Sequence, residues 1–320
     1  MKKLNLLLLS AMLIGGISSL TSCGEKLINV GILQYATHDA LTGAKDGFIS
    51  ALKEKGFEDG KNIKITVQNP EGNTSTMATM ARNLTLSSDI VFGIATPAAL
   101  ALKTAIKDYS KDIPLFFTAV TDPVGAGLVT SFTEHGNVTG TSDAGPTEKN
   151  IRLFTNFTSV DKIGILWNTA ETNSNIQKQE TEAACTKFDL GFVDGGITAA
   201  SQIESKLNSF IASGVKGIFI PTDNMVGGAI ASIKQVAIDN KLIVVCADSA
   251  ATKNGGSLGF SVDYTILGET TGFQAAKVLS SEKEAKDIDV CLAASFPLEI
   301  NEGFFTATGI TIPQAIRDLA

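Results

Sequence analysis

The chain alternates short apolar runs with longer amphipathic stretches, and halfway along it starts the alternation again. LINVGILQ (27–34) reads as a strand, and 39–56 as a helix ending at Gly56. NIKITVQN (62–69) and DIVFGIA (89–95) are strands separated by a helix at 75–87. TPAALALKTAIKD follows as a helix that Thr96 caps and Pro97 starts, and PLFFTAV (114–120) is the next strand. After NVTGTSD (137–143), a helix at about 147–157 leads into the strand DKIGILWN (161–168) and a helix at 173–188. FVDGGI, GVKGIFIP and KLIVVCAD are further strands, alternating with helices at 201–213 and in MVGGAIASIKQVAIDN. This rhythm demands parallel sheets with helices on both faces, and its restart points to two Rossmann-like lobes. The strand SLGFSVDY, a helix at 264–282 and a terminal strand and helix are too little for a third domain. The expected division is 27–141 plus about 249–286 for one lobe, and 142–248 plus about 287–320 for the other.

The N-terminus lies outside that rhythm. Met1-Lys2-Lys3 is followed by the apolar LNLLLLSAMLIGGISSL, then Leu20-Thr21-Ser22-Cys23 and a polar Gly24-Glu25-Lys26. The layout is that of a secretory signal, and LTSC resembles the bacterial lipobox, with residues 1–22 removed and Cys23 lipidated. An uncleaved anchor helix is the alternative; both readings put the body outside the cytoplasm, on the outer face of the cell membrane. Cys185, Cys246 and Cys291 remain, with no C-x-x-C spacing, so metal and redox roles are poorly served and Cys246 reads as a packing residue.

Composition and motifs narrow the function. The formal net charge is −7, with no Lys/Arg cluster, which argues against a nucleic-acid partner. The two histidines, His38 and His135, stand far apart, and no H-E-x-x-H, G-x-S-x-G or Walker motif is present. Catalysis is not expected. Gly125 and Gly127 after PLFFTAVTDPV raise the possibility of a phosphate loop, but the third glycine of a dinucleotide fingerprint is missing. No cofactor and no metal is expected.

Polar residues recur just after the strands: Gln34, Tyr35 and His38; Thr96 with Pro97; Thr121 and Asp122. In the second half they are Asn168, Glu171, Asn173 and Ser174; Thr222, Asp223 and Asn224; and Asp248 with Ser249. Any one of them can be a helix cap or turn former. Six clusters, three from each half, favour a polar cleft at the carboxyl ends of the strands.

The segments HDALTGAKDGFISALKEKGFEDGKNI, NPEGN, ATPAA, TAVTDPVGAGLV, NVTGTSD, WNTAETNS, PTDN and DY..LG resemble the TrpX-type ABC transporter substrate-binding proteins. The likeness runs in order from about residue 28 to 312. It implies a type I periplasmic-binding-protein fold, two lobes joined by three hinge crossings. It also implies a monomer that delivers a small molecule, notably tryptophan or phenylalanine, to an ABC permease and its ATPase. A branched-chain amino acid, nucleoside or sugar ligand, or a sensory ectodomain, stays open on fold alone.

With an amino acid between the lobes, its carboxylate is expected at the helix start Thr96-Pro97-Ala98, with Thr121 adding a donor. Asp122, Asp223 and Asp248, with Asn224 as a neutral acceptor, are expected at the ammonium. Trp167 either stacks on the ligand or packs in the core, and His38 either binds the ligand or caps the helix near Asp39.

Overall fold

The structure is a computed structural model that describes residues 27–320. The expected signal segment 1–22 and Cys23 lie outside the described residues. In chain order the first half comprises β1 (Ile28–Gln34), α1 (Asp39–Glu54), β2 (Ile63–Gln68), α2 (Thr74–Ser87), β3 (Ile90–Ile94), α3 (Thr96–Asp108), β4 (Leu115–Val120) and β5 (Val138–Ser142). Next come α4 (Thr147–Phe154), β6 (Lys162–Asn168), α5 (Thr172–Lys187), β7 (Gly191–Ile197), α6 (Ile203–Ala212), β8 (Gly217–Ile220), α7 (Asn224–Gly228), α8 (Ile230–Asp239) and β9 (Ile243–Cys246). The chain closes with α9 (Ser249–Asn254), β10 (Leu258–Phe260), α10 (Tyr264–Leu279), β11 (Cys291–Leu292), β12 (Leu298–Ile300), α11 (Glu302–Thr308) and α12 (Gln314–Arg317).

Two six-stranded sheets result, ordered β11-β5-β4-β3-β1-β2 and β12-β10-β9-β8-β6-β7. All pairings are parallel except β10 with β12. The central strands β3, β4, β8 and β9 are buried along their whole length, which is why they read as unbroken apolar runs. Helix α1 turns Ala40, Leu41, Ala44, Phe48, Ala51 and Leu52 inward at helical spacing, and Phe48 stacks on Phe92 of β3 at 3.9 Å between ring centroids. Cys185 and Cys246 are buried free thiols, and burial pushes the Cys185 thiol up to about 12.

The chain crosses between lobes three times, at 143–146, 261–263 and 293–297. Two sequence boundaries need correction. Residues 249–260 belong to the second lobe, because β10 pairs with β9 and α9 joins them. Residues 287–292 belong to the first, because β11 pairs with β5. NVTGTSD is mostly strand β5, and the crossing starts at its final residue, Asp143. MVGGAIASIKQVAIDN is two helices broken at Ala229.

Helix α10 is capped by Asp263, whose carboxylate accepts the Thr265 and Ile266 amides, and it lies against α1. The two backbones meet where each has a glycine. A Cβ on Gly268 would stand 1.9 Å from the Ala44 carbonyl oxygen, and one on Gly47 would stand 2.2 Å from that of Thr265. Alanine gains about 1 kcal/mol of helix propensity over glycine, but the clash forces the helices apart. Gly268→Ala should therefore lower stability by about 1–3 kcal/mol in urea denaturation. An unchanged or raised midpoint would show that α1 and α10 can separate freely.

Candidate functional site between the lobes

The carboxyl ends of both sheets face each other across a polar seam. On the first lobe, Gln34 ends β1, and its Nε2 donates to the Ala36 carbonyl at 2.9 Å, fixing the loop into α1. Ala95, between β3 and α3, sits at φ 80, and Ala119 near the end of β4 sits at φ 57. Both values are costly for alanine. They turn the chain into Thr96-Pro97-Ala98 and into Thr121; at Ala119 the register with β5 also shifts. The first-turn amides of α3 receive no side-chain cap.

On the second lobe a hydrogen-bond lattice holds the strand ends. Asp223 caps α7 by accepting the Val226 amide at 2.8 Å. Its other oxygen accepts the Asn168 amide at 2.6 Å and the Ser174 hydroxyl at 2.7 Å. Glu171 accepts from the Asn168 side chain on one oxygen and from the amide and side chain of Asn224 on the other. Asn173 donates to the Thr222 carbonyl at 2.7 Å. Gln177 exchanges two hydrogen bonds with Thr222, donating to its hydroxyl and accepting its amide. Asp248 caps α9 through the Ala250 and Ala251 amides.

Three contacts stitch the lobes together. Thr121 and Thr222 hydroxyls lie 3.0 Å apart, His38 Nε2 lies 3.4 Å from Asn224 Oδ1, and Asn254 donates to Asp39 at 2.7 Å. Burial keeps His38 neutral by holding its pKa below the usual value. Tyr35 packs on the first lobe's core, and burial first, then the charges of Glu171 and Asp223, push its hydroxyl up to about 12.

The seam's charge is one-sided. Asp143, Glu171, Asp223 and Asp248 are only 2%, 2%, 4% and 7% exposed. Among the described residues, none of the four is in an ion pair with lysine or arginine. Burial raises all four pKa values, to about 7 for Glu171 and about 6 for Asp248. A buried carboxylate without a cation is expensive.

Several sequence expectations change here. Trp167 packs in the second lobe's core at 8% exposure, its Nε1 donating to Asp194 of β7 at 2.7 Å. It is not a stacking platform. Asp122 turns back on its own loop and accepts the Gly125 amide at 2.7 Å. A Cβ at 125 would stand 2.1 Å from that carboxylate, so Gly125 serves the loop's shape. Asp223, expected at the ammonium, has both oxygens taken by lobe-two donors. Thr96, Ala98, Thr121, Thr222, Asn224 and Asp248 are buried at the seam's strand ends, with Pro97 beside them. Tyr35, Asp143, Gln177 and Tyr264 complete the polar set; only the placing of Tyr35 after β1 and of Asp143 in the joint signalled any of them.

The sequence matches the family described as ABC transporter substrate binding protein over residues 29–320. The chain belongs to that family. A tyrosine-binding protein of Clostridioides difficile (strain R20291) is 34% identical, covering 94% of this chain and 90% of that one. The solved ABC domain from Streptococcus pneumonia in complex with L-Trp has a TM-score of 0.85 at 31% identity, covering 92% of this chain and 99% of that one. A ligand-free, open substrate-binding protein with adhesive properties from Clostridium difficile has a TM-score of 0.67 at 32% identity, covering 90% of this chain and 96% of that one. More distant solved structures, 12–13% identical, share only the type I periplasmic-binding-protein architecture.

The Glu171 shift carries a pH dependence. An unfolded glutamate loses its proton near 4.5 and the folded Glu171 near 7, so the folded chain holds the extra proton between them. The stability this group contributes is complete below the lower value and lost as pH rises through the upper one. The protein should show a falling Tm from about pH 5 to about pH 8 to the extent that its lobes are together, and Glu171→Gln should flatten that slope. An equal slope in the variant would remove Glu171 as its source.

Proposed function

We propose that this family member is an extracytoplasmic binding protein whose lobes close on an aromatic α-amino acid and present it to an ABC permease and its ATPase. The observation that carries this reading is the band of four buried carboxylates lacking a cation, set between two lobes. An α-ammonium supplies the missing charge. The ligand's carboxylate meets neutral donors instead: the first-turn amides of α3, the Thr96 hydroxyl and Thr121. His38, held neutral, adds no competing charge for the ammonium.

The aromatic class is supported by the tyrosine-binding relative and by the L-Trp complex. Tyr35 and Tyr264, rather than Trp167, are aromatic side chains beside the seam carboxylates. Closure is supported by the cross-lobe hydrogen bonds, and by better agreement with the liganded domain than with the open one at nearly equal identity. The reading includes no catalytic step, and the chain acts as a monomer.

A thermal-shift screen followed by calorimetry tests the ligand. L-Tyr, L-Trp or L-Phe at about 100 times Kd should add about 2.7 kcal/mol of stability. A shift from a nucleoside or sugar, with none from the aromatic amino acids, would overturn the reading.

Lipid anchoring at Cys23 is part of the same proposal, because Leu20-Thr21-Ser22-Cys23 ends an apolar leader. In the bacterium, Cys23→Ala should move the protein from the membrane fraction to the soluble or secreted one. Unchanged membrane association would argue for an uncleaved anchor.

A further inference from the structure

Two of the four buried carboxylates have no oxygen to spare. Asp223 is filled by Val226, Asn168 and Ser174, and Glu171 by Asn168 and Asn224. Asp248 uses Oδ1 for the Ala250 and Ala251 amides, and no donor among the described residues reaches its Oδ2. Asp143 uses Oδ2 for the Tyr264 hydroxyl at 2.6 Å, while its Oδ1 is buried with no partner. An orphaned buried carboxylate oxygen in a folded protein calls for a donor that binds there.

The surroundings indicate which donor. Asp143 begins the first interlobe crossing, and Tyr264 opens α10 directly after the second. Their hydrogen bond therefore ties two crossings together at the hinge side of the seam. The Asp143 carboxyl is close enough to Asp248 for the two charges to repel, and the Thr121 hydroxyl adjoins it. Gln177 Nε2 donates to the Thr222 hydroxyl, which leaves the Thr222 proton for Thr121.

We propose that Asp143, with the open oxygen of Asp248 beside it, is the seat of the ligand's ammonium and makes the site select a free α-amino group. The assignment rests on the amino-acid reading of the seam. It adds that the charge is read by a hinge residue rather than by Asp223, so recognition of the amine and closure occur at one point. Ligands with an acylated or missing amine are excluded on this geometry, because nothing would satisfy Asp143 Oδ1 when the lobes meet.

The test is calorimetry with L-tyrosine and its desamino analogue, 3-(4-hydroxyphenyl)propionate, on wild type and Asp143→Asn. Wild type should prefer the amino acid by about 100-fold or more, as expected for charge-assisted hydrogen bonds in a buried site. Asp143→Asn should weaken L-tyrosine by about 10- to 100-fold and leave the analogue nearly unchanged, collapsing the preference. A variant that keeps the wild-type preference overturns the assignment. Failure of wild type to bind any aromatic amino acid overturns the underlying reading as well, and so is distinguishable. Should Asp143→Asn fail to fold, a crystal structure of wild type with L-tyrosine decides. The amine nitrogen is expected within about 3.2 Å of Asp143 Oδ1. An amine held by Glu171 or Asp223 instead overturns the assignment.

Discussion

Four carboxylates buried between two lobes, with no lysine or arginine against them, form the constraint on which this molecule turns. Each carries a desolvation cost that hydrogen bonds offset in part and a proton or a cation offsets further. Protons satisfy part of it, which is why burial raises all four pKa values. On the proposed reading, the remainder makes closure of the seam depend on a cationic ligand.

The rest of the architecture serves to hold those groups in place. Asp223 and Glu171 are fixed by Asn168, Ser174 and Asn224, so they set the field of the site without an oxygen free for ligand. On the opposite lobe, Ala95 and Ala119 adopt left-handed conformations at the ends of neighbouring strands and aim α3 and Thr121 at the seam. Strain of that kind persists only where surrounding structure over-determines it. Here the two buried sheets do so, with the α1–α10 contact bracing the first lobe.

The two-lobe α/β fold was legible because buried parallel strands leave unbroken apolar runs, and helices leave a 3.6-residue spacing. The C-terminal boundaries were not, because β11 and β12 are two and three residues long and their partners lie far away in sequence. Strand-end polar residues were legible as a class, yet their contacts divide them in ways that no local pattern encodes. Thr121 meets Thr222 across 101 positions, and Asp143 meets Tyr264 across 121. Asp122 and Asp223 share the same strand-end placing, but one curls onto its own turn and the other caps a helix. Trp167 could face either side of β6; its partner on β7, Asp194, decides for the core.

Small-angle X-ray scattering of the protein lacking residues 1–22, with and without saturating L-tyrosine, tests the dependence of closure on the ligand's charge most directly. Without ligand, the uncompensated carboxylates should keep the lobes apart, and ligand should reduce the radius of gyration to that of the closed form described here. A ligand-free chain already as compact as the bound one would contradict the claim that a ligand's ammonium closes the seam.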